Sequence, residues 1–376
     1  MRLVIAEKKS VATAIAQALC AAPVQRDGCY ECGQLLVTWA QGHLIDLAMP
    51  EDYKDRDWGK WSLDTLPVDP SGHWRWKISA ERGAGSRYRQ IVQLIRRADV
   101  DCLVNACDPD REGEAIFRRI ADMEGSRKPE LRLWVASLEA EAIQAAWRAM
   151  KPESEYQGLA WSAEIRSKAD WLIGMNASRA YSLLYNARFS VGRVQTPTLA
   201  MIAERDRQIR NHKPVPFWTV IADMGGWRLS SERIDSKDAA MLLCGQVERG
   251  RFRIMSVSRK RVNDRPPRLY DLTGLQKDMS RMYGMTAART LQALQHLYEL
   301  KLATYPRTDS RYITRDDLET FTALLESGRL AHGFVTREGI PGHPRPELTV
   351  NDKKVAGHTA ILPTMQLDAG KLEGLD

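Results

Sequence analysis

The chain has 376 residues, a formal net charge of +7 and 44% hydrophobic residues, which at roughly 150 residues per domain predicts two or three domains with cores of their own. A charged fraction of 27% together with 11 Trp and 11 Tyr excludes a disordered or low-complexity chain. No run approaches roughly 18 consecutive apolar residues, which excludes a membrane-spanning helix.

The first residues, Met1-Arg2-Leu3-Val4-Ile5-Ala6-Glu7-Lys8, lack a small-residue cleavage site and read as a first β-strand, not a signal peptide. Ser10 stands where a helix N-cap is expected, ahead of Val11, Ala14, Ile15, Ala18 and Leu19 at helical spacing. Cys29 to Trp39 alternates weakly and predicts one or two strands, and Tyr88 to Ala98 carries a helical stripe. The apolar run from Val100 to Cys107, bounded by Pro109, reads as a buried strand. Gly113 to Met123 is helical, and Ser137 is expected to cap a helix running to Met150. This alternation predicts an α/β domain with a mainly parallel sheet. Residues 154–209 are almost all helical in pattern, with a break at 190–197. From Phe217 to about Val262 the segments are β-type, notably Trp218 to Ala222 and Phe252 to Val257. Helices over Leu272 to Met282 and Thr286 to Leu300, joined at Tyr283-Gly284, resemble a helix-turn-helix layout, and residues 325–349 read as loop.

The six cysteines are too few and too scattered to staple a chain of this length, so a reducing cytoplasm is the expected compartment. Cys29 and Cys32 form a single C-x-x-C without a second pair to complete a zinc site, and are expected as two thiols on a hairpin. The positive charge is uneven. Residues 251–320 carry a net +6 and residues 161–213 a net +5, while the remainder is net negative. Both segments interleave aromatics such as Trp171, Tyr181, Tyr185, Tyr298 and Tyr312, a combination suited to single-stranded nucleic acid.

Two short segments carry the chemistry. In Cys107-Asp108-Pro109-Asp110-Arg111-Glu112-Gly113, three carboxylates sit where a buried strand hands over to a helix. In a turn they could converge on one point, and an oxygen-only set suits Mg²⁺; the plainer reading is a solvated turn with Asp108 or Asp110 capping the helix. Glu7, at the end of the first strand, is a fourth candidate carboxylate, and Lys8 beside it could meet a phosphate. In Leu302 to Tyr312, Pro306 holds Tyr305 out of helix, and Arg307 points to the same side of an extended chain. A tyrosine oxygen can attack a phosphodiester if a cation stabilises the charge that develops.

Taken together these residues resemble the type IA DNA topoisomerases, most closely their bacterial topoisomerase III branch. The similarity runs in order through Ile5-Ala6-Glu7-Lys8, Gly42-His43-Leu44, the acidic turn, Arg166 to Gly174, Ser190 to Pro197, Tyr305 to Tyr312 and His358 to Thr364. Lys9, Cys107 and Thr359 depart from the family pattern without removing a catalytic group. The resemblance implies an α/β plus α multidomain fold: a toprim α/β domain over 1–150, part of a helical single-strand-groove domain over 151–215, part of a β-rich arch over 216–268, and a helix-turn-helix-like catalytic tyrosine domain over 269–376. Family members run a few hundred residues longer, so the groove and arch domains are expected here in part.

The implied activity is ATP-independent cleavage of one DNA strand through a 5′-phosphotyrosyl link, strand passage and religation, relaxing or decatenating DNA. Tyr305 would be the nucleophile, Arg307 and Lys8 would act at the phosphate, and Glu7 would serve as general acid/base. Glu7, Asp108, Asp110 and Glu112 would hold Mg²⁺, and Arg166, Asp170, Arg193, Gln195, Arg311 and His358 would contact the strand. The implied partners are single-stranded DNA and negatively supercoiled or catenated DNA, with no membrane and no nucleotide cofactor; no G-x-x-x-x-G-K-[ST] loop is present. The alternative is a chain that binds, and in one variant cleaves, single strands without completing strand passage.

Overall fold

A computed structural model of the chain describes residues 1–376 apart from 136–137, 254, 263, 265, 328–345, 356–357, 368–371 and 373–376. Two units are distinct: residues 1–191 with 267–376, and residues 192–266.

The first unit is built on a sheet that begins with β1 (Arg2–Ala6). Helix α1 (Lys9–Leu19) follows directly, and then β2 (Val24–Arg26), β3 (Cys29–Cys32) and β4 (Leu35–Trp39). A small separate pair, β5 (Ile45–Leu47) and β6 (Trp76–Ile78), precedes α2 (Ala84–Ile95) and β7 (Cys102–Ala106). Helix α3 (Arg111–Glu124), β8 (Glu130–Arg132), α4 (Ala140–Arg148) and β9 (Lys151–Pro152) complete the layer, and α5 (Gln157–Leu184) packs on α3. The sheet order is β2-β3-β4-β1-β7-β8-β9, with β4, β1, β7 and β8 parallel and antiparallel strands at both edges. β1 is central, as expected of a first strand. Its side chains alternate between two apolar clusters: Leu3 and Ile5 face that of α2 and α3, Val4 and Ala6 that of α1 and α4.

The second unit carries α6 (Gln195–Arg210), a short hairpin of β10 (Ile221–Asp223) and β11 (Arg228–Ser230), and α7 (Lys237–Arg249). Returning to the first unit, α8 (Leu272–Tyr283) and α9 (Ala287–Glu299) are joined through Gly284 in the left-handed region (φ 64°), and α10 (Arg315–Glu326) follows. Asp271 and Thr286 cap α8 and α9 through their side chains, accepting from Gly274 and Arg289.

Several expectations are corrected. The first helix starts at Lys9, with extended Lys8 in the capping position and Ser10 inside the first turn. Cys32 is not a free thiol. It is disulfide-bonded to Cys20, because α1 lies along β3 and β4 and brings its C-terminal residue beside the end of β3, with Cα atoms 6.3 Å apart; Cys29 stays free and buried. No strand forms over Phe252 to Val257 among the described residues, where Phe252, Met255 and Val257 are exposed and nothing pairs with them. Helix α7, capped by Ser236, occupies part of the region expected to be β-type. Ser137 and most of the 325–349 loop lie outside the described residues.

Beneath the C-terminal end of β7 lies a buried polar network. Arg132, fully buried, donates from Nε to Glu114 (2.5 Å), and Asn105 donates from Nδ2 to Glu114 (3.0 Å) and Glu153 (2.9 Å). Burial, a hydrogen bond to Glu114 and the charge of Glu114 raise the Glu153 carboxyl to about 8. Its Oε2 meets no donor among the described residues, as suits an oxygen that keeps its proton and donates it.

A carboxyl raised in the folded state contributes stability that is full below its unfolded value near 4.5 and lost as pH rises through about 8. Urea midpoints measured between about pH 6 and pH 9 are therefore expected to fall less steeply in Glu153→Gln than in the unsubstituted chain. Parallel pH profiles would contradict this placement of the proton.

Candidate active site

The parallel register of β1 and β7 aligns Ala6 with Ala106, so the residues just beyond them, Glu7 and Asp108, leave the sheet side by side at its C-terminal edge. Lys8 Nζ lies between them, 3.4 Å from Glu7 Oε1 and 3.4 Å from Asp108 Oδ2. One ammonium cannot neutralise two shielded carboxylates. Burial, followed by the charge of Asp108, raises the Glu7 carboxyl to about 7. Burial alone would lower the Lys8 ammonium, but Asp108 and Glu7 outweigh it and raise it.

Asp110 takes the N-cap position of α3, its Oδ1 accepting from Gly113 N (2.8 Å), while its own N–H donates to the Asp108 carbonyl (2.8 Å). Gly113 is obligatory here. A Cβ would stand 2.8 Å from Asp108 N and closer still to the Asp108 carbonyl oxygen. From below, Arg132 fixes the same turn by donating to the carbonyls of Cys107 (2.8 Å) and Asp108 (2.8 Å). Glu112 faces elsewhere: it pairs with Arg166 (3.3 Å), Arg111 (3.4 Å) and His43 (3.8 Å), and Arg166 also approaches Asp170 (3.6 Å) along α5. The three turn carboxylates therefore do not meet at one point, and no three His, Cys, Asp or Glu side chains assemble a metal cage among the described residues. What remains is an oxygen-only set with surplus negative charge around Glu7 and Asp108. That donor set fits Mg²⁺, which takes one or two protein carboxylates and fills its shell with water and substrate oxygen.

Tyr305 reaches this edge from the far end of the chain. The Thr304 N–H donates to Leu362 O (2.9 Å), Leu362 N donates to Thr304 Oγ1 (2.9 Å), and Thr304 Oγ1 donates to Ala360 O (3.1 Å). This pairing brings His358 under the Tyr305 ring, with centroids 4.1 Å apart and planes 22° from parallel. Tyr298 of α9 meets the ring edge-on at 5.4 Å, and both tyrosines join the apolar cluster of α1 and α4. Tyr305 is only 5% exposed, and its ring lies beside the Asp108 carboxylate. Burial first, then the charges of Asp108 and Asp110, push its phenol well above the usual tyrosine range. Burial lowers the His358 imidazole, and neither of its ring nitrogens has a partner among the described residues.

Arg307 is exposed, on the wall of an open cleft of about 1020 Å³ that Asp110, exposed Arg111 and buried His358 also line. Arg311 is engaged at the start of α8, with Nε 3.3 Å from Leu269 O and 3.6 Å from Asp271. Arg193 and Gln195 belong to the second unit. The structure thus brings Glu7, Lys8, Asp108, Asp110, Tyr305 and His358 together, with Arg307 at the rim. Sequence reading missed Arg132, Trp134 and Tyr156 around the same site, and read Tyr298 only as one aromatic of a basic segment. A strand-terminal arginine two residues from a tryptophan was the only local signal for the first of these.

A family model described as DNA topoisomerase matches residues 154–375, and a Toprim domain model matches residues 2–138. The chain belongs to the type IA DNA topoisomerase family, in which an N-terminal α/β toprim region is followed by helical and β segments. It is 36% identical over 375 residues to DNA topoisomerase 3 of Bacillus subtilis, covering 96% of this chain and 50% of that protein. It is likewise 36% identical over 368 residues to a putative DNA topoisomerase 3 of Staphylococcus aureus, covering 96% and 51%. Full-length topoisomerase I of Thermotoga maritima has a similar fold, with a TM-score of 0.62 at 20% identity over 96% of this chain and 55% of that one. The chain spans about half the length of the curated relatives it matches.

Two outcomes follow from the geometry. Gly113→Ala is expected to cost at least about 1–3 kcal/mol, because the added carbon meets backbone and not a movable side chain; an unchanged urea midpoint would contradict the tight turn. In the metal-free protein, the ¹³C carboxyl resonance of Glu7 is expected to titrate near 7, and Lys8→Met to move it higher. A midpoint in the ordinary carboxylate range would contradict the charge imbalance.

Proposed function

We propose that this chain cuts single-stranded DNA by transesterification as an ATP-independent, topoisomerase III-like enzyme, relaxing or decatenating DNA. The observation that carries the reading is the burial of Tyr305 beside Asp108, at the edge where Glu7 and Lys8 also stand. In this reading the Tyr305 oxygen attacks phosphorus, the bond to the 3′ oxygen breaks, and a 5′-phosphotyrosyl link and a free 3′-hydroxyl result. Lys8 and exposed Arg307 offset charge on the phosphoryl oxygens. Glu7, raised to about 7, can give a proton to the departing 3′ oxygen and take it back on religation. Glu7 and Asp108, with Asp110 beside them, would hold Mg²⁺, which would neutralise phosphate charge and help to place the cut end; Glu112 would have to exchange its Arg166, Arg111 and His43 contacts to join them. The phosphotyrosyl bond conserves the energy of the phosphodiester, so no nucleotide is consumed.

Arg166, Asp170, Arg193, Gln195, Arg311 and His358 are assigned to the strand path, and Arg311 must exchange its Asp271 contact to join it. The regions 1–150, 151–215, 216–268 and 269–376 are assigned as toprim, groove, arch and tyrosine domains, and the protein acts on DNA in the cytoplasm. Because Tyr305 is buried against Asp108, the tyrosine region must part from the toprim edge before a strand can enter. A second reading is binding, and in one variant cleavage, of single strands without completion of strand passage.

Incubation with labelled single-stranded DNA and Mg²⁺ followed by denaturation is expected to leave a covalent adduct that Tyr305→Phe abolishes. Absence of any adduct with the unsubstituted chain would contradict both catalytic readings. Adduct without relaxation of a negatively supercoiled plasmid would select the second.

A further inference from the structure

The cleft that Arg307 and His358 line is also lined by an aromatic pair. Trp134, just after β8, and Tyr156, which ends a 3-10 turn over Glu153–Tyr156 before α5, stack with centroids 5.2 Å apart and planes 17° from parallel. Both rings are half-buried, and neither is part of the two apolar clusters that flank the sheet, so their placement is not accounted for by the core. The guanidinium of Arg132 lies 5.0 Å from the Trp134 ring centroid. That same guanidinium donates to the carbonyls of Cys107 and Asp108. The aromatic pair and the acidic turn are therefore fixed to one buried group, which sets a constant offset between them. Exposed Arg111 and Arg307 supply cations for a phosphate backbone running between them and the pair.

We infer that the Trp134–Tyr156 pair is a stacking platform for one base of the single strand, flanking the phosphodiester that Tyr305 attacks. The inference rests on the proposed function for its substrate class and adds the subsite that sets the strand's position. Every base has a π-face, so the platform is tolerant of sequence, and its contribution is read as affinity and register. The Arg132 guanidinium against Trp134 makes the column a continuation of a cation–π contact.

The test is anisotropy of a short fluorescein-labelled single-stranded oligodeoxynucleotide bound to the full chain in EDTA, with an abasic residue moved through each position. One or two positions are expected at which loss of the base weakens binding about 5- to 150-fold. Tyr156→Ala is expected to erase that position's sensitivity, and Tyr156→Phe to retain it, which a merely structural role would not do. Placing 2-aminopurine at the sensitive position gives a second readout on the unsubstituted chain, with fluorescence quenched on binding. Uniform tolerance of abasic sites, unquenched 2-aminopurine at every position, or sensitivity that persists in Tyr156→Ala would overturn the platform. Adduct formation is scored separately. Adduct without a sensitive position overturns the platform alone, and a sensitive position without adduct overturns the proposed cleavage and leaves the platform standing.

Discussion

The structure is organised around Asp108. Its carboxylate receives the Lys8 ammonium and lies beside the Tyr305 ring, while its carbonyl receives Arg132 and the Asp110 N–H. A carboxylate this buried is unfavourable unless donors surround it. The groups gathered on Asp108, at its carboxylate and its carbonyl, come from the residues just after the first strand, the acidic turn, the strand after α3 and a segment almost two hundred residues further on. One residue thus ties distant parts of the chain to one sheet edge.

That constraint explains the resting state of the candidate nucleophile. Pressed against Asp108 and close to Asp110, the Tyr305 phenol holds its proton firmly. Its ring is fixed between the His358 face and the Tyr298 edge. Reactivity therefore depends on replacing the Asp108 interaction with one to a phosphate and its counter-cations, including Lys8, whose ammonium is already shared between Glu7 and Asp108. The charge surplus that raises Glu7 is the same surplus that a divalent cation would relieve.

Much of this was legible in sequence where local pattern and tertiary demand coincide. The apolar run before Asp108 became β7, the central β1 placed Glu7 as expected, and the α8–α9 pair closed at Gly284. Local pattern failed where a distant partner decides the outcome. Phe252 to Val257 has β-type residues but no strand to pair with among the described residues, and Cys32 found Cys20 only because α1 folds back along β3. The acidic turn was found but its geometry was not, since Asp110 serves as a cap and Glu112 is drawn to Arg166. Arg132 and Trp134 carried no motif, and their significance comes from what lies above them in the fold.

The central claim is that Tyr305 is the group delivered to DNA at the Asp108 edge. The most direct measurement is peptide mapping by mass spectrometry of the denatured, nuclease-trimmed complex formed with single-stranded DNA and Mg²⁺. The account expects one modified peptide, containing Tyr305 and carrying a nucleotide through its 5′-phosphate. A nucleotide on any other residue, or a link through a 3′-phosphate, would contradict it.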